Sequence, residues 1–364
     1  MATANLSAAI HTSLTNAECV GVISDVSQFI TVLVSGEPGT GKTSMQHALA
    51  AKHSSHQPIY ADMANMDVGD VMMRIPNHAT GRLDPYVSSL FGLDDPRPKL
   101  LMLDEIGKMP RIIQPTVTRL MLERTIGDVK LPDGSMVWAT TNNASDGLGD
   151  TIPAHTGDRM MKIKYAKPNA ELTNLHFTEA GASTLLRGWI AMHPHALHSY
   201  ETDDLTNNDM PFNPAKRQHA FVTQRGLFRA DKHVIQTMNR RPVHVTQAML
   251  AGMLGESAAR SMVNFFQMAK DLQPVAKVFK DPHGTTMPEK DAALFLMCFN
   301  ALDALTTQDE LSAFMQYIER KHSDVFTALF NTMALGTKRT AKLARNNPLL
   351  LQWMKIPGNY QLAQ

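Results

Sequence analysis

The sequence has few cysteines, few charges and no long apolar run. Its two cysteines, Cys19 and Cys298, are too few for a disulfide framework or a four-ligand zinc site. The most apolar stretch, residues 292–299, is far too short to span a bilayer. The first residues do not have the pattern of a signal peptide. We therefore expect a cytoplasmic protein in a reducing compartment, with no membrane partner.

The charge balance gives no sign of a protein drawn to nucleic acid or lipid by its overall charge. Charged residues make up 19% of the chain, and 35 basic against 34 acidic residues leave a net charge of +1. No global field draws such a protein towards nucleic acid or anionic lipid, although a local basic patch is compatible with this balance. The hydrophobic fraction of 43% excludes a disordered chain.

The order of predicted elements indicates an α/β half followed by a helical half. Short apolar runs at residues 31–34, 58–61, 100–103, 137–140 and 161–165 predict five strands, and stretches long enough for helices separate them. This alternation is typical of a doubly wound parallel sheet. After residue 167 helical periodicity dominates. A single helical pattern covers residues 172–192.

A glycine-rich segment after the first predicted strand carries the strongest chemical signal. It fits G-x-x-x-x-G-K-[ST], the P-loop pattern, whose glycines let backbone N–H groups surround phosphates. Lysine in this pattern reaches the β- and γ-phosphates, and the final hydroxyl binds Mg²⁺. The segment consists of Gly36, Glu37, Pro38, Gly39, Thr40, Gly41, Lys42 and Thr43. It predicts a site for a nucleotide such as ATP, together with Mg²⁺.

Polar residues follow two further predicted strands. Asp104 and Glu105 come directly after the apolar run 100–103, and Asn142 follows the run 137–140. Asp104 is expected to support the metal, Glu105 to activate the attacking water, and Asn142 to sense the γ-phosphate. The plain alternatives are an acidic residue after a buried strand and an asparagine that begins a turn.

These elements and their spacing resemble the AAA+ ATPases, and the text between them resembles the MoxR-like branch. Residues 104–110 and 120–127 look like that branch's Walker B element and following helix, and residues 131–134 look like the hairpin turn before its next strand. The resemblance covers about residues 25–250. It implies a P-loop NTPase core at 1–166, an all-α lid at 167–260 and a helical C-terminal extension at 261–364.

The resemblance also implies residues that act between subunits. Arg159 occupies the position of the arginine finger, which acts in a neighbour's site, and a surface arginine is its alternative reading. Arg217 aligns best with the sensor 2 arginine of the lid, with Lys216 as the rival. The family implies an ATP-hydrolysing homo-hexameric ring with a chaperone-like action on a protein client, often a von Willebrand A-type protein. Related genes occur in bacteria and their phages, so the expected location is the bacterial cytoplasm, or that of the host if a phage encodes the protein.

Other patterns leave alternatives open. Residues 216–241 hold seven Lys or Arg against one acid, so a DNA-acting motor (a helicase loader or translocase) is the second reading. It could use this patch or a hairpin at residues 126–136. A nucleotide switch without turnover is the third reading. His193, His195 and His198 have suggestive spacing, but Pro194 interrupts any common helical face and no metal site is expected there.

Overall fold

The computed structural model describes residues 13–143, 160–268, 272–356 and 359. The chain divides into two compact units, Met1–Lys167 and Pro168–Gln364. None of the helices described is long and apolar enough to cross a membrane.

Every β-strand that belongs to a sheet, among the residues described, lies in the first unit. They are β1 (Ser13–Leu14), β2 (Val32–Gly36), β3 (Gln57–Asp62), β4 (Met72–Asn77), β5 (Arg82–Val87), β6 (Lys99–Asp104), β7 (Thr125–Ile126), β8 (Val129–Lys130), β9 (Met136–Asn142) and β10 (Met161–Tyr165). Its helices are α1 (Asn16–Val26), α2 (Met45–Lys52), α3 (Val68–Val71) and α4 (Gln114–Glu123).

Six of these strands form one parallel sheet in the order β1-β10-β2-β9-β6-β3. All five strands predicted from the sequence are present in it. Alternate side chains leave opposite faces of a strand, so Val32 packs with α1 and α2 on one face, whereas Leu33 packs with α4 on the other. The doubly wound parallel sheet is confirmed.

A two-stranded ribbon formed by β4 and β5 was not predicted from the sequence. Pro76 and Pro85 interrupt its apolar pattern, and proline is tolerated because this ribbon has no third strand within the described residues. Asn77 shapes the connecting loop, since its Oδ1 accepts hydrogen bonds from the backbone of Ala79 and Thr80.

The predicted hairpin turn at residues 131–134 was misplaced. Antiparallel pairing joins β7 to β8, and the turn that connects them is Gly127-Asp128. Gly127 has φ 59°, which glycine adopts without strain. Residues 133 and 134 do form a turn before β9, but β8 and β9 do not pair.

The second unit is helical. Its helices are α5 (Ala170–Glu179), α6 (Thr184–Met192), α7 (Gln224–His233), α8 (Val243–Leu254), α9 (Glu256–Met268), α10 (Val275–Lys280), α11 (Asp291–Ala304), α12 (Gln308–Glu319), α13 (Asp324–Gly336), α14 (Lys338–Arg345) and α15 (Pro348–Met354). The helical pattern at 172–192 is two helices, because the chain turns at Gly181, which has φ 71°.

Helix α11 links the two hydrophobic cores of this unit. Its Ala292 and Leu296 belong to the core around Trp189, whereas its Phe299 belongs to the core around Phe314. The predicted division of this half at residues 260 and 261 lies inside α9. Separate lid and extension domains stay a prediction.

Burial makes both cysteine thiols unreactive in the folded protein. Cys19 and Cys298 are fully buried, and burial raises the pKa of the Cys19 thiol to about 12 and that of Cys298 still higher. Only the thiolate reacts readily, and it is scarce when the pKa is raised. In the native protein we predict no fast reaction with Ellman's reagent at pH 8. In denaturant both thiols should react and release two equivalents of thionitrobenzoate per chain. Fast titration of a thiol in the native protein would contradict the packing of α1 or α11.

Candidate nucleotide site

The P-loop has the backbone conformation that its glycines predict. It begins at Gly36, the last residue of β2, and ends in a short 3₁₀ turn, Lys42–Ser44, before α2. Gly39 and Gly41 have φ 71° and 90°, in the left-handed region that favours glycine. At Gly36 an added Cβ would lie 3.2 Å from the carbonyl oxygen of Tyr165, so a side chain there would crowd β10.

Lys42 is buried and lies at the centre of the loop. Its Nζ donates hydrogen bonds to the carbonyl oxygens of Gly36 at 2.7 Å and Glu37 at 2.8 Å. It also donates to Oδ1 of Asn142 at 3.0 Å. Asn142 lies opposite Gly36 in the pairing of β9 with β2, so the sheet register brings this amide to the lysine. An ammonium held in this way is ready to exchange neutral acceptors for phosphate oxygens.

The carboxylate of Asp104, at the end of β6, accepts hydrogen bonds from three hydroxyl groups. Thr140 Oγ1 donates to its Oδ1, while Tyr60 Oη at 2.8 Å and Thr43 Oγ1 at 3.4 Å lie at its Oδ2. The pKa of Tyr60 is raised, first by burial and then by the hydrogen bond to Asp104. The hydroxyl of Thr43 and the Asp104 carboxylate therefore lie together, as the predicted magnesium site requires.

Glu105 is held in an unusual backbone conformation beside Asp104. Its φ of 54° is uncommon outside glycine, and its N–H donates to Thr140 Oγ1 at 3.2 Å. Its carboxylate forms an ion pair with Lys108 at 2.5 Å, and both side chains are partly exposed. Thr140 thus bridges the two acidic residues, because its hydroxyl donates to one and accepts from the other.

The described residues place most of the predicted site together. The loop residues, Asp104, Glu105 and Asn142 all lie at the carboxyl edge of the sheet. Arg159 lies outside the described residues. Arg217 has an exposed side chain in the second unit, as does Lys216.

The donor set fits a nucleotide with a divalent cation. Glycines leave the loop backbone open, Lys42 supplies a cation, and Thr43 with Asp104 supplies oxygen ligands of the kind that Mg²⁺ prefers. Within the residues that the structure describes, no group of three or more His, Cys, Asp or Glu side chains is arranged to hold a metal ion.

Four residues of the site were missed by the sequence analysis. Thr140 and Tyr60 contact Asp104, as described above. Tyr165 Oη donates to the Thr40 carbonyl at 3.4 Å, and Lys167 forms an ion pair with Glu37 at 3.0 Å. Only the Thr140 position carried a signal, since it ends the predicted strand that Asn142 follows. The other three depend on which strands become neighbours.

Comparisons with known proteins agree with this geometry. A parallel sheet with a P-loop at its carboxyl edge defines the P-loop NTPases. Residues 32–165 match the model of the AAA family, "ATPase family associated with various cellular activities". The protein has the AAA+ P-loop NTPase fold with a helical C-terminal region. No curated protein matches the sequence.

Several solved structures are similar to the chain at low identity. The structure of NtrX from Brucella abortus in complex with ADP is 14% identical, with a TM-score of 0.39, and the match covers 93% of this chain and 68% of NtrX. A mutant form of RuvB from Thermotoga maritima is 16% identical, with a TM-score of 0.36, and the match covers 72% of this chain and 75% of RuvB.

The bridging hydroxyl of Thr140 generates a stability prediction. Thr140→Val keeps the shape of the side chain but leaves the Glu105 N–H and the buried side of Asp104 without this partner. We predict a loss of about 2 kcal/mol in the free energy of unfolding, the usual cost of unsatisfied buried groups. Urea denaturation measures it.

The neighbouring threonine provides a matched control for this variant. Thr141 follows on β9, and its hydroxyl donates to the carbonyl of Asn142 at 3.2 Å without touching either acidic residue. Thr141→Val should change the free energy of unfolding by less than about 0.5 kcal/mol. Equal effects of the two substitutions would contradict the bridging role.

Proposed function

We propose that this protein is an ATP-hydrolysing AAA+ motor of the MoxR-like type. The observation that carries the proposal is the convergence of Lys42, Asn142, Thr43 and Asp104 at one edge of the sheet. These groups come from the loop, β6 and β9, and structural packing alone does not call for a buried lysine bonded to two loop carbonyls.

Each residue has a role in this proposal that follows from its position. Lys42 transfers its hydrogen bonds from the carbonyls of Gly36 and Glu37 to the β- and γ-phosphates, while the loop N–H groups hold the remaining oxygens. Thr43 and Asp104 would hold Mg²⁺, which when bound offsets charge on the phosphate oxygens.

Glu105 and Asn142 act on the water and the γ-phosphate. Glu105 must exchange its contact with Lys108 for a water molecule, which it then orients and activates. Asn142 already contacts Lys42, so its amide lies where the γ-phosphate would be bound and reports its presence.

We further propose that the active form is a homo-hexameric ring. In this arrangement Arg159 enters the neighbour's site and stabilises charge on the transferred phosphoryl group. Arg217, or its rival Lys216, couples a helical lid at residues 167–260 to that site. Turnover then depends on assembly, because each site needs a residue from the next chain.

Turnover against protein concentration tests the motor and the ring together. We expect ATP turnover per chain to rise with concentration.

Glu105→Gln should reduce turnover by about 100-fold or more and retain ATP binding. Arg159→Ala should reduce turnover by about 1,000-fold, whereas the control Arg97→Ala, which removes an exposed arginine paired with Asp95, should not. Turnover per chain that is independent of dilution would contradict the ring.

A protein client is favoured by the ribbon of β4 and β5. Met73 and Tyr86 are cross-strand partners on one face of the ribbon, and they are 56% and 64% exposed. Ile75 lies two residues along on that face and is 41% exposed. On the opposite face, Met72 packs closely against Gly127. A ribbon that exposes these three apolar side chains fits a polypeptide client better than a phosphate backbone. The family resemblance points to a von Willebrand A-type protein as that client.

The client proposal is tested by removing this apolar face. The triple substitution Met73→Ser, Ile75→Ser and Tyr86→Ser should leave unstimulated ATP turnover within about twofold. It should weaken the binding of casein, an unstructured polypeptide, by about tenfold or more, since several apolar anchors are lost. Phe29→Ser with Val325→Ser removes exposed apolar groups elsewhere as the control. Equal binding by both variants would contradict the role of the ribbon.

A DNA-acting motor is the second candidate. Its support is a set of exposed cations in the second unit, Lys216, Arg217, Arg225, Arg229 and Arg240. If DNA stimulates turnover and the stimulation falls steeply with salt, this candidate replaces the protein client.

A nucleotide switch without turnover is the third candidate, and it requires Glu105→Gln to leave function intact.

A further inference from the structure

The carboxyl end of β10 supports the P-loop from one side. Backbone and Cβ atoms of Tyr165 lie against Gly36, and Tyr165 Oη donates to the carbonyl oxygen of Thr40. Two residues further on, Lys167 Nζ lies 3.0 Å from a carboxylate oxygen of Glu37. The segment 165–167 therefore contacts three residues of the loop, which are Gly36, Glu37 and Thr40.

The contact between Glu37 and Lys167 is a buried ion pair. The side chains are only 2% and 7% exposed. A carboxylate removed from water is costly unless a cation and hydrogen bonds compensate it. Lys42 bonds the carbonyl of Glu37, while the ion pair with its carboxylate comes from Lys167.

The position of this carboxylate matters for what the loop binds. Residues 36–43 contain one acid, Glu37, and one base, Lys42, so the loop has no net side-chain charge. Lys167 changes this balance to +1. A polyanion bound by the loop would otherwise approach a buried negative charge in a region where charges are weakly screened.

We propose that Lys167 is a positioning residue that neutralises Glu37 and thereby maintains the affinity of the P-loop for phosphate. This inference rests on the proposed nucleotide site and adds a residue to it. It assigns the Glu37 side chain an electrostatic partner outside the loop motif. Lys167 acts through Glu37 and does not itself touch the nucleotide.

The electrostatic account predicts opposite signs for the two single substitutions. Lys167→Met retains the aliphatic chain but removes the cation, so ATP affinity should fall by about tenfold or more, as for other broken buried pairs. Glu37→Gln removes the negative charge and leaves the cation, so ATP should bind more tightly than to the wild type. If the pair matters only for packing, both substitutions weaken binding.

Two further variants complete the experiment. Glu37→Gln with Lys167→Met replaces the pair by neutral groups of similar size, and it should recover at least half of the lost affinity on a logarithmic scale. Lys167→Arg keeps the cation and should retain most of the affinity. Because neutral replacements of buried pairs are often tolerated, the double variant remains informative even if Lys167→Met alone folds poorly.

Isothermal titration calorimetry of the full chain with ATP and Mg²⁺ measures all five proteins, and urea denaturation checks that each is folded. Weaker binding by Lys167→Met, with recovery in the double variant and in Lys167→Arg, is the expected result. Normal binding by Lys167→Met, or a double variant as weak as the single one, would overturn this inference and leave the nucleotide site intact. Absence of binding by the wild type would overturn the proposed function, and this inference with it.

Discussion

The hydrogen bonds of the Lys42 ammonium are the interaction on which the site depends. A buried cation must have acceptors, and Lys42 finds them at Gly36, Glu37 and Asn142. These acceptors exist only when the loop folds back over the end of β2 and when β9 lies beside it. The lysine therefore joins the loop to the sheet.

The parallel sheet supplies the rest of the site by aligning strand ends. Register pairs Gly36 with Asn142 across β2 and β9, and β9 in turn lies beside β6. Thr140, two residues before Asn142, thus reaches both Asp104 and Glu105. A shift of one residue along β9 would point Thr140 to the other face of the sheet and separate the acidic residues from their shared hydroxyl.

Much of this architecture could be predicted from the sequence, because it depends on local signals. Five apolar runs marked five strands, and the glycine pattern marked the loop. Contacts between distant segments carried no such signal. Tyr60, Tyr165 and Lys167 lie on or just after strands whose neighbours only the folded sheet defines. Arg124, whose pKa burial lowers to about 10, reaches Ser27 and Thr31 from the end of α4, and nothing in its local sequence indicates burial.

The most direct test of this account is a calorimetric titration of Lys42→Met with ATP and Mg²⁺ beside the wild type. Methionine keeps the length of the side chain and removes the ammonium that the loop positions. The account predicts one ATP bound per wild-type chain and affinity lower by about 100-fold in the variant, in line with the loss of charge-assisted hydrogen bonds to phosphate. Equal affinities would contradict it, because the lysine would then have no part in binding phosphate.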